Sequence, residues 1–310
     1  MIKTYKYRLY PTRKQTEILN WTLETCRILY NSALVDRKRH YEETKQGLSR
    51  IAQQKILVQD KKILPFLGEV HSQVLQDVLF RVEKAYKAFF RRLKERNGKA
   101  GYPRFKSEGR YDSVTYTQSG FEIDKDNKLK LSKIGHIKLK QHRNINGIIK
   151  TCNIKKEIDK WYVCFSVEYT PTAEKRTVIR KHVGIDVGIK SFAVLSDKQH
   201  IDNPKYLVKS EERLTKIQKR LSSKKKGSNN RKKAVISVAR AHKKVSDQRK
   251  DFQHKLSRKI ISSYDAIGAE DLRIRNMVKI TVYLNQLATL AGGSSCHLWN
   301  TKRKKPVFCF

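Results

Sequence analysis

The sequence predicts an α/β multidomain protein, and three observations predict it. Helical periodicity fills residues 14–96, strand alternation fills 114–170, and a second α/β pattern opens at 182. A length of 310 residues accommodates two or three domains. The stretch HVGIDVGIKSFAVLS, 182–196, is the most informative. An apolar run reaches Asp186, flanked by Gly184 and Gly188, and a second apolar run follows at 192–195. This reads as strand, tight turn, strand, with one carboxylate lifted at the strand edge. The pattern returns in YDAIGAEDL, where 266–269 lead up to Glu270 and Asp271. Hard divalent cations want oxygen ligands placed in this way. Strand alternation turns Asp271 to the side opposite Glu270, which leaves it out of the candidate site.

In chain order, IKTYKYRLY at 2–10 alternates as a strand and stops at Pro11. Thr12 can cap the helix that follows over 14–46, where Ile18, Leu19, Leu23, Ile28, Leu29, Ala33 and Leu34 recur at helical spacing. A second helical segment covers 49–62 and a third 70–96. The third carries an apolar face from Val74 to Phe90. Its other face holds Arg81, Lys84, Lys87, Arg91, Arg92 and Lys94. That face reads either as a solvated helix surface or as a phosphate-tracking one. Asn97 and Gly98 end the helix.

In GYPRFKSEGRYDSVTYTQ, Tyr102, Phe105, Tyr111 and Tyr116 interleave with Arg104, Lys106 and Arg110. Aromatics between cations suit base stacking beside phosphate contacts; the alternative is that they pack a β-rich core. Short strand-like segments over 114–170 read as a small barrel or sandwich. A linker spans 171–181. Beyond the Asp186 hairpin, a basic helical region covers 205–263, broken by SSKKKGSNNRKK, 222–233, which reads as a mobile loop.

Composition narrows the partner. Lys and Arg number 69 against 29 Asp and Glu, giving a net charge of +40 and a pI near 10.1. Such an excess calls for a polyanion, and nucleic acid is the one expected. A structural RNA-binding protein could share this charge. No apolar run approaches the ~20 residues that span a bilayer, so no membrane partner is expected. The five cysteines form no C-x-x-C pair, which supports neither a disulfide framework nor a zinc site. Reduced thiols and a cytoplasmic location are expected.

Five stretches together resemble the TnpB/OrfB family of transposon-encoded RNA-guided DNA endonucleases. They are YKYRLYPTRKQ, SQVLQDVLFRVEKAYKAFFRR, GYPRFKS, VGIDVGIKSFAVLS and IGAEDLRIRNMVK, in the family's order across residues 1–279. The resemblance implies a helical recognition domain, 11–102, beginning in helix-turn-helix fashion. It implies that this domain is inserted into a wedge-like β-barrel made of 1–10 and 103–175. A RuvC-like nuclease domain of the RNase H type, 179–279 and incomplete, would follow. Asp186 and Glu270 would be its first two catalytic and metal-binding carboxylates, serving Mg²⁺. DNA and a guide RNA would be the partners. Phosphate and base contacts are expected from Arg81, Lys84, Lys87, Arg91, Tyr102, Arg104, Phe105 and Lys106.

After Lys279 the chain departs from the family, which continues with a zinc ribbon and a third catalytic Asp. No acidic residue follows Asp271 here, and no zinc is expected. Read one nucleotide early, the Trp299 codon TGG followed by the AA of Asn300 forces Glu, and 298–303 permit L-E-Y-K-A, a family sequence. The stretch 287–295 similarly permits G-D-A-G-W-G-Q-F. The expectation is that 280–310 is an out-of-frame tail forming no defined domain, with a weakened or lost Mg²⁺ site and no cleavage. The alternative function is a non-catalytic DNA-binding regulator, guided or unguided.

Overall fold

The computed structural model describes residues 1–95, 100–124, 126–170, 180–188, 190–270 and 307–309, the last three by backbone alone. The chain divides into two compact units, Met1–Ala173 and Glu174–Phe310.

In the first unit, β1 (Ile2–Tyr10) buries Tyr5, Tyr7 and Leu9 and exposes the residues between them, as period-two alternation requires. Helix α1 (Arg13–Thr44) starts at a reciprocal cap. The Thr12 hydroxyl accepts from Gln15 N–H at 3.3 Å, and the Gln15 side chain accepts from Thr12 N–H at 3.0 Å. Helix α2 (Arg50–Ile63) is capped by Ser49, and α3 (Ser72–Lys94) buries Val74, Leu75, Val78, Leu79, Val82 and Tyr86. Six strands follow: β2 (Ser113–Tyr116), β3 (Phe121–Ile123), β4 (Lys128–Leu131), β5 (Gly135–Lys140), β6 (Ile148–Glu157) and β7 (Lys160–Glu168).

These strands and β1 make one antiparallel sheet in the order β2-β6-β7-β1-β5-β4-β3. The sheet curls enough for Tyr116, on end strand β2, to donate to the Ser132 carbonyl just past β4 at 3.3 Å. The barrel-or-sandwich expectation thus resolves to a single curled sheet. Gly147, at φ +120°, opens β6; a Cβ there would lie 2.2 Å from the Glu168 carbonyl oxygen, so the position requires glycine. Helices and sheet share one core, with Leu19, Leu23, Leu75 and Leu79 in the same cluster as Tyr7, Ile154 and Phe165.

The second unit has a five-stranded sheet in the order β10-β9-β8-β11-β12. Its strands are β8 (His182–Asp186), β9 (Ser191–Leu195), β10 (His200–Asp202), β11 (Ala266–Ala269) and β12 (Val307–Cys309). The β8–β9 and β9–β10 pairs are antiparallel; β11 runs parallel to both β8 and β12. Between β10 and β11 lie α4 (Tyr206–Ser222) and α5 (Asn229–Ser263). Ile260, Ile261, Leu256 and Phe252 seat α5 on the sheet.

The expected mobile loop at 222–233 is instead a short, built turn. Ser228 caps α5 by accepting from Arg231 N–H at 3.1 Å. The Arg231 guanidinium donates to the Leu221 and Lys224 carbonyls at 3.0 and 3.1 Å, satisfying the end of α4. Charge density suggested disorder; an N-cap and a bridging guanidinium order the turn. Of the expected out-of-frame tail, 307–309 form β12, a paired strand, whereas 280–306 and Phe310 lie outside the described residues. So do Asp271, Asn97, Gly98 and most of the linker, 171–179.

Candidate metal site and nucleic-acid interface

The two predicted carboxylates meet at one sheet edge. In the parallel β8–β11 pair, His182 lies opposite Ala266, Val183 opposite Ile267, Gly184 opposite Gly268 and Ile185 opposite Ala269. One residue further in each strand stand Asp186 and Glu270, so the two acids end neighbouring parallel strands spaced ~4.8 Å apart. Alternation turns both away from the face that buries Val183, Ile185 and Ile267, and both are exposed. Gly184 and Gly268 are the preceding residues on that outward face. Neither glycine adds a side chain of its own there, and on the β9 side Val194 stands opposite Asp186 with the Ser196 side chain beside Gly184.

A device missed by the sequence reading holds this register. The Asp265 carboxylate accepts the backbone N–H groups of Arg180 and Lys181, each at 3.2 Å. Asp265 and Ala266 N–H donate in return to the Lys181 carbonyl at 2.7 and 3.1 Å. Asp265 thus fastens the starts of the strands whose ends carry Asp186 and Glu270. No motif announces it, because an Asp before a strand is ordinary turn chemistry. At the other end, the Ser196 hydroxyl accepts from Gly184 N–H at 3.0 Å, and Ser196 N–H donates to the Gly184 carbonyl at 2.9 Å.

Two exposed carboxylates suit Mg²⁺, which is commonly held by one or two carboxylates, water and substrate phosphates. Among the described residues no group of three or more His, Cys, Asp or Glu could hold a metal ion. Asp186 and Glu270 thus offer a partial set of protein ligands.

The predicted cation–aromatic segment separates into two kinds of residue. Tyr111 and Tyr116 are buried in the core, as the packing alternative had it. Phe105 is 64% exposed and Arg104 is exposed beside it. The loop that presents them is anchored at Lys106. Its N–H donates to the Asn31 side-chain oxygen at 2.8 Å, and its carbonyl accepts from Asn31 at 2.9 Å and from Arg27 at 3.1 Å. The Lys106 ammonium lies over the Tyr30 ring at 5.9 Å. Tyr102 stands edge-on to Tyr86 and Phe89, with its hydroxyl bonded to that of Tyr86, yet keeps 47% exposure.

On α3, Lys84, Lys87 and Arg91 point to solvent; Lys87 pairs with Glu83 at 3.2 Å and Arg91 with Glu95 at 3.9 Å. Arg81 is different. It donates to Asp77 at 2.7 Å, to the Ser113 carbonyl at 2.8 Å and to the Thr115 hydroxyl at 2.9 Å. Its guanidinium also stacks over Tyr111. Burial works against its charge, but Tyr111 and Asp77 beside it outweigh this and hold its pKa above the ordinary value. The expected phosphate ligand is, in this geometry, a tie between α3 and β2.

Among the described residues, no helix is long and apolar enough to cross a membrane. Two family models match: the one described as "Probable transposase", OrfB of IS605 type, over residues 163–281, and its helix-turn-helix domain over 1–46. A protein of Streptomyces pristinaespiralis named as an RNA-guided DNA endonuclease is 34% identical over 284 residues, covering 89% of this chain and 68% of that protein. A second so named, InsQ of Escherichia coli K12, is 29% identical over 284 residues, covering 90% of this chain and 68% of InsQ. Among solved structures, the Cas12f1–sgRNA–target DNA complex aligns with a TM-score of 0.50 at 11% identity, covering 94% of this chain and 86% of that one. This last likeness concerns the fold alone.

Proposed function

The chain belongs to the TnpB/OrfB family of IS605-type transposases, and from that premise we propose that it is by descent an RNA-guided, Mg²⁺-dependent DNA endonuclease. The observation that carries the reading is the placement of Asp186 and Glu270 at the ends of adjacent parallel strands, one residue beyond a fixed register. Bound there, Mg²⁺ would supply an activated water and charge neutralisation at a phosphodiester. The protein's part is to hold two carboxylates on one face, with Asp265 setting the register. Base stacking falls to Phe105 and Tyr102, and phosphate contacts to Lys84, Lys87, Arg91, Arg104 and Lys106. Names of relatives at 34% and 29% identity support guide RNA and target DNA as partners.

We further propose that these 310 residues, taken alone, bind but do not cut. Two ions beside an anionic phosphate need more carboxylate than Asp186 and Glu270 provide. The family match ends at residue 281, close to Lys279, where the sequence departs from the family pattern. The test is to sequence the RNA that co-purifies with the chain, then to offer DNA matching that RNA in Mg²⁺. RNA of defined sequence should be retained and the DNA left intact. Guide-dependent cutting that disappears in Asp186→Ala would overturn the cleavage-deficient reading and leave the nuclease reading standing.

A further inference from the structure

Helix α1 carries an apolar line that the core does not use. Its buried face is made by Leu19, Leu23, Cys26, Leu29, Ala33 and Leu34. Trp21, Ile28 and Val35 stay 47%, 44% and 39% exposed. Single exposed apolar residues are ordinary on a protein surface. These three recur every seventh residue, two turns apart, so they fall on one line along the helix. The same step reaches Lys14 before them and Glu42 after them, both exposed. The line thus reads Lys14, Trp21, Ile28, Val35, Glu42 and is ~42 Å long at ~1.5 Å per residue. It runs between two occupied sides of α1. On one side Gln53 of α2 donates to the Ala33 carbonyl at 2.9 Å. On the other the Asn31 and Arg27 side chains hold the Lys106 carbonyl at 2.9 and 3.1 Å. Trp21 Nε1–H donates to Glu69 at 3.0 Å, which fixes the exposed indole in place.

The order of the line is self-complementary. Turned end for end about Ile28, it sets each member against one of matching chemistry. Ile28 meets Ile28 of a second copy, Trp21 meets Val35, and Lys14 meets Glu42; two-fold symmetry makes the last two pairs occur twice. Glu17 and Lys38, exposed on one flank of the line near its two ends, meet in the same way. Within one chain, Glu17 pairs with Arg13 at 3.3 Å and Lys38 with Glu42 at 3.7 Å. Such exposed pairs hold little energy and are readily shared with a second partner. A seven-residue line drifts by ~20° per repeat, and two helices crossing at ~20° absorb that drift. A parallel second copy would instead set Lys14 against Lys14 and Glu42 against Glu42.

We propose that α1 joins two copies of this chain in an antiparallel, two-fold dimer, with Trp21, Ile28 and Val35 as the seam and Lys14 and Glu42 setting its direction. The occupant is a second copy because both the apolar order and the charges complement themselves. A polyanion fits this face poorly. Glu17, Glu24 and Glu42 lie on or beside the line, in a chain with only 29 acidic residues against 69 basic ones. Three apolar layers make a small core, so the dimer forms and parts with concentration rather than being obligate. The inference stands apart from the carboxylate site and from any bound nucleic acid.

The test uses the full chain freed of nucleic acid, followed by sedimentation equilibrium over a wide concentration range. Moderate salt screens the net charge of +40 on each copy. The parent should pass from monomer to dimer as concentration rises. Ile28→Asp sets two carboxylates face to face at the symmetry axis and should leave only monomer. Its melting temperature should match the parent, because the Ile28 side chain is already half exposed. Lys14→Glu turns two exposed ion pairs into repulsions and should weaken the dimer about tenfold. Glu42→Lys should do the same, and the two substitutions together should restore the parent affinity. A parent that stays monomeric at every concentration would overturn the dimer, as would a dimer that survives Ile28→Asp. If Lys14→Glu associates as the parent does, or the double variant fails to recover, the antiparallel arrangement falls. Because no RNA or DNA is present, none of these outcomes bears on the proposed function.

Discussion

Two residues with the same expected role, contact with nucleic acid, part ways in the structure. Arg81 lies on the basic stripe of α3 and Phe105 in an aromatic-rich stretch; both are expected to contact nucleic acid, and each has a second reading, a solvated helix face for the first and core packing for the second. The structure buries the guanidinium against Asp77, whose side chain is only 11% exposed, and leaves Phe105 in solvent. Arg81→Ala should therefore destabilise the first unit by ~3 kcal/mol, because it strands a buried carboxylate. Phe105→Ala should leave the melting temperature nearly unchanged and weaken RNA binding by ~1–3 kcal/mol, the worth of one stacking platform. Urea melts and anisotropy separate the two; a stable Arg81→Ala that merely binds less would reverse the assignment. Burial, then Lys61 and Lys133, push the His71 pKa below its ordinary value of 6.5. The ring packs on Tyr116, and its Nδ1 has no partner. The unfolded chain therefore binds the proton more readily than the fold. Stability should fall as pH drops from about 6.5 towards the lowered folded pKa, and His71→Phe should flatten that part of the curve.

Elements were more legible than residues where periodicity was long and uninterrupted. α1, α3 and β1 match the apolar spacing because each buries one continuous face, and Thr12 caps α1 as read. The α4–α5 turn was misread because a Lys- and Asn-rich string looks alike whether solvated or capped; only the three-dimensional return of α5 brings Arg231 to the Leu221 and Lys224 carbonyls. Removing that bridge with Arg231→Ala should raise hydrogen exchange across 221–230 while the remainder of α5 stays protected. Equal protection in both proteins would show that the cap alone suffices. The carboxylate edge follows the same rule. Asp186 and Glu270 were legible because each closes a short apolar strand, but the pairing that joins them depends on Asp265, whose contacts reach residues 84 and 85 positions away. No local pattern encodes such a separation.

Over the whole molecule, composition announced a polyanion partner, and strand order is what it could not announce. β1 sits between β7 and β5, so its ladder is completed only when residues 160–168 exist. Met1 and Tyr169 then close on each other: the terminal ammonium donates to the Tyr169 carbonyl at 3.0 Å, and Tyr169 N–H donates to the Met1 carbonyl at 2.9 Å. Because the core of this unit lies wholly within it, a fragment of residues 1–170 should melt in one cooperative transition. A fragment ending at 158 lacks β7 and leaves Tyr7, Ile154 and the neighbouring core side chains without the wall of Val163, Phe165 and Val167; it should not melt cooperatively. The 1–170 fragment keeps the Phe105 loop and lacks helices α4 and α5. It should still bind single-stranded RNA, with a shallower salt slope than the full chain, because fewer phosphates are neutralised. Calorimetry and a salt series on the two fragments decide this. A noncooperative 1–170 would mean that the unit borrows its stability from beyond residue 170. A slope equal to that of the full chain would mean that the cations beyond residue 170 neutralise no phosphate.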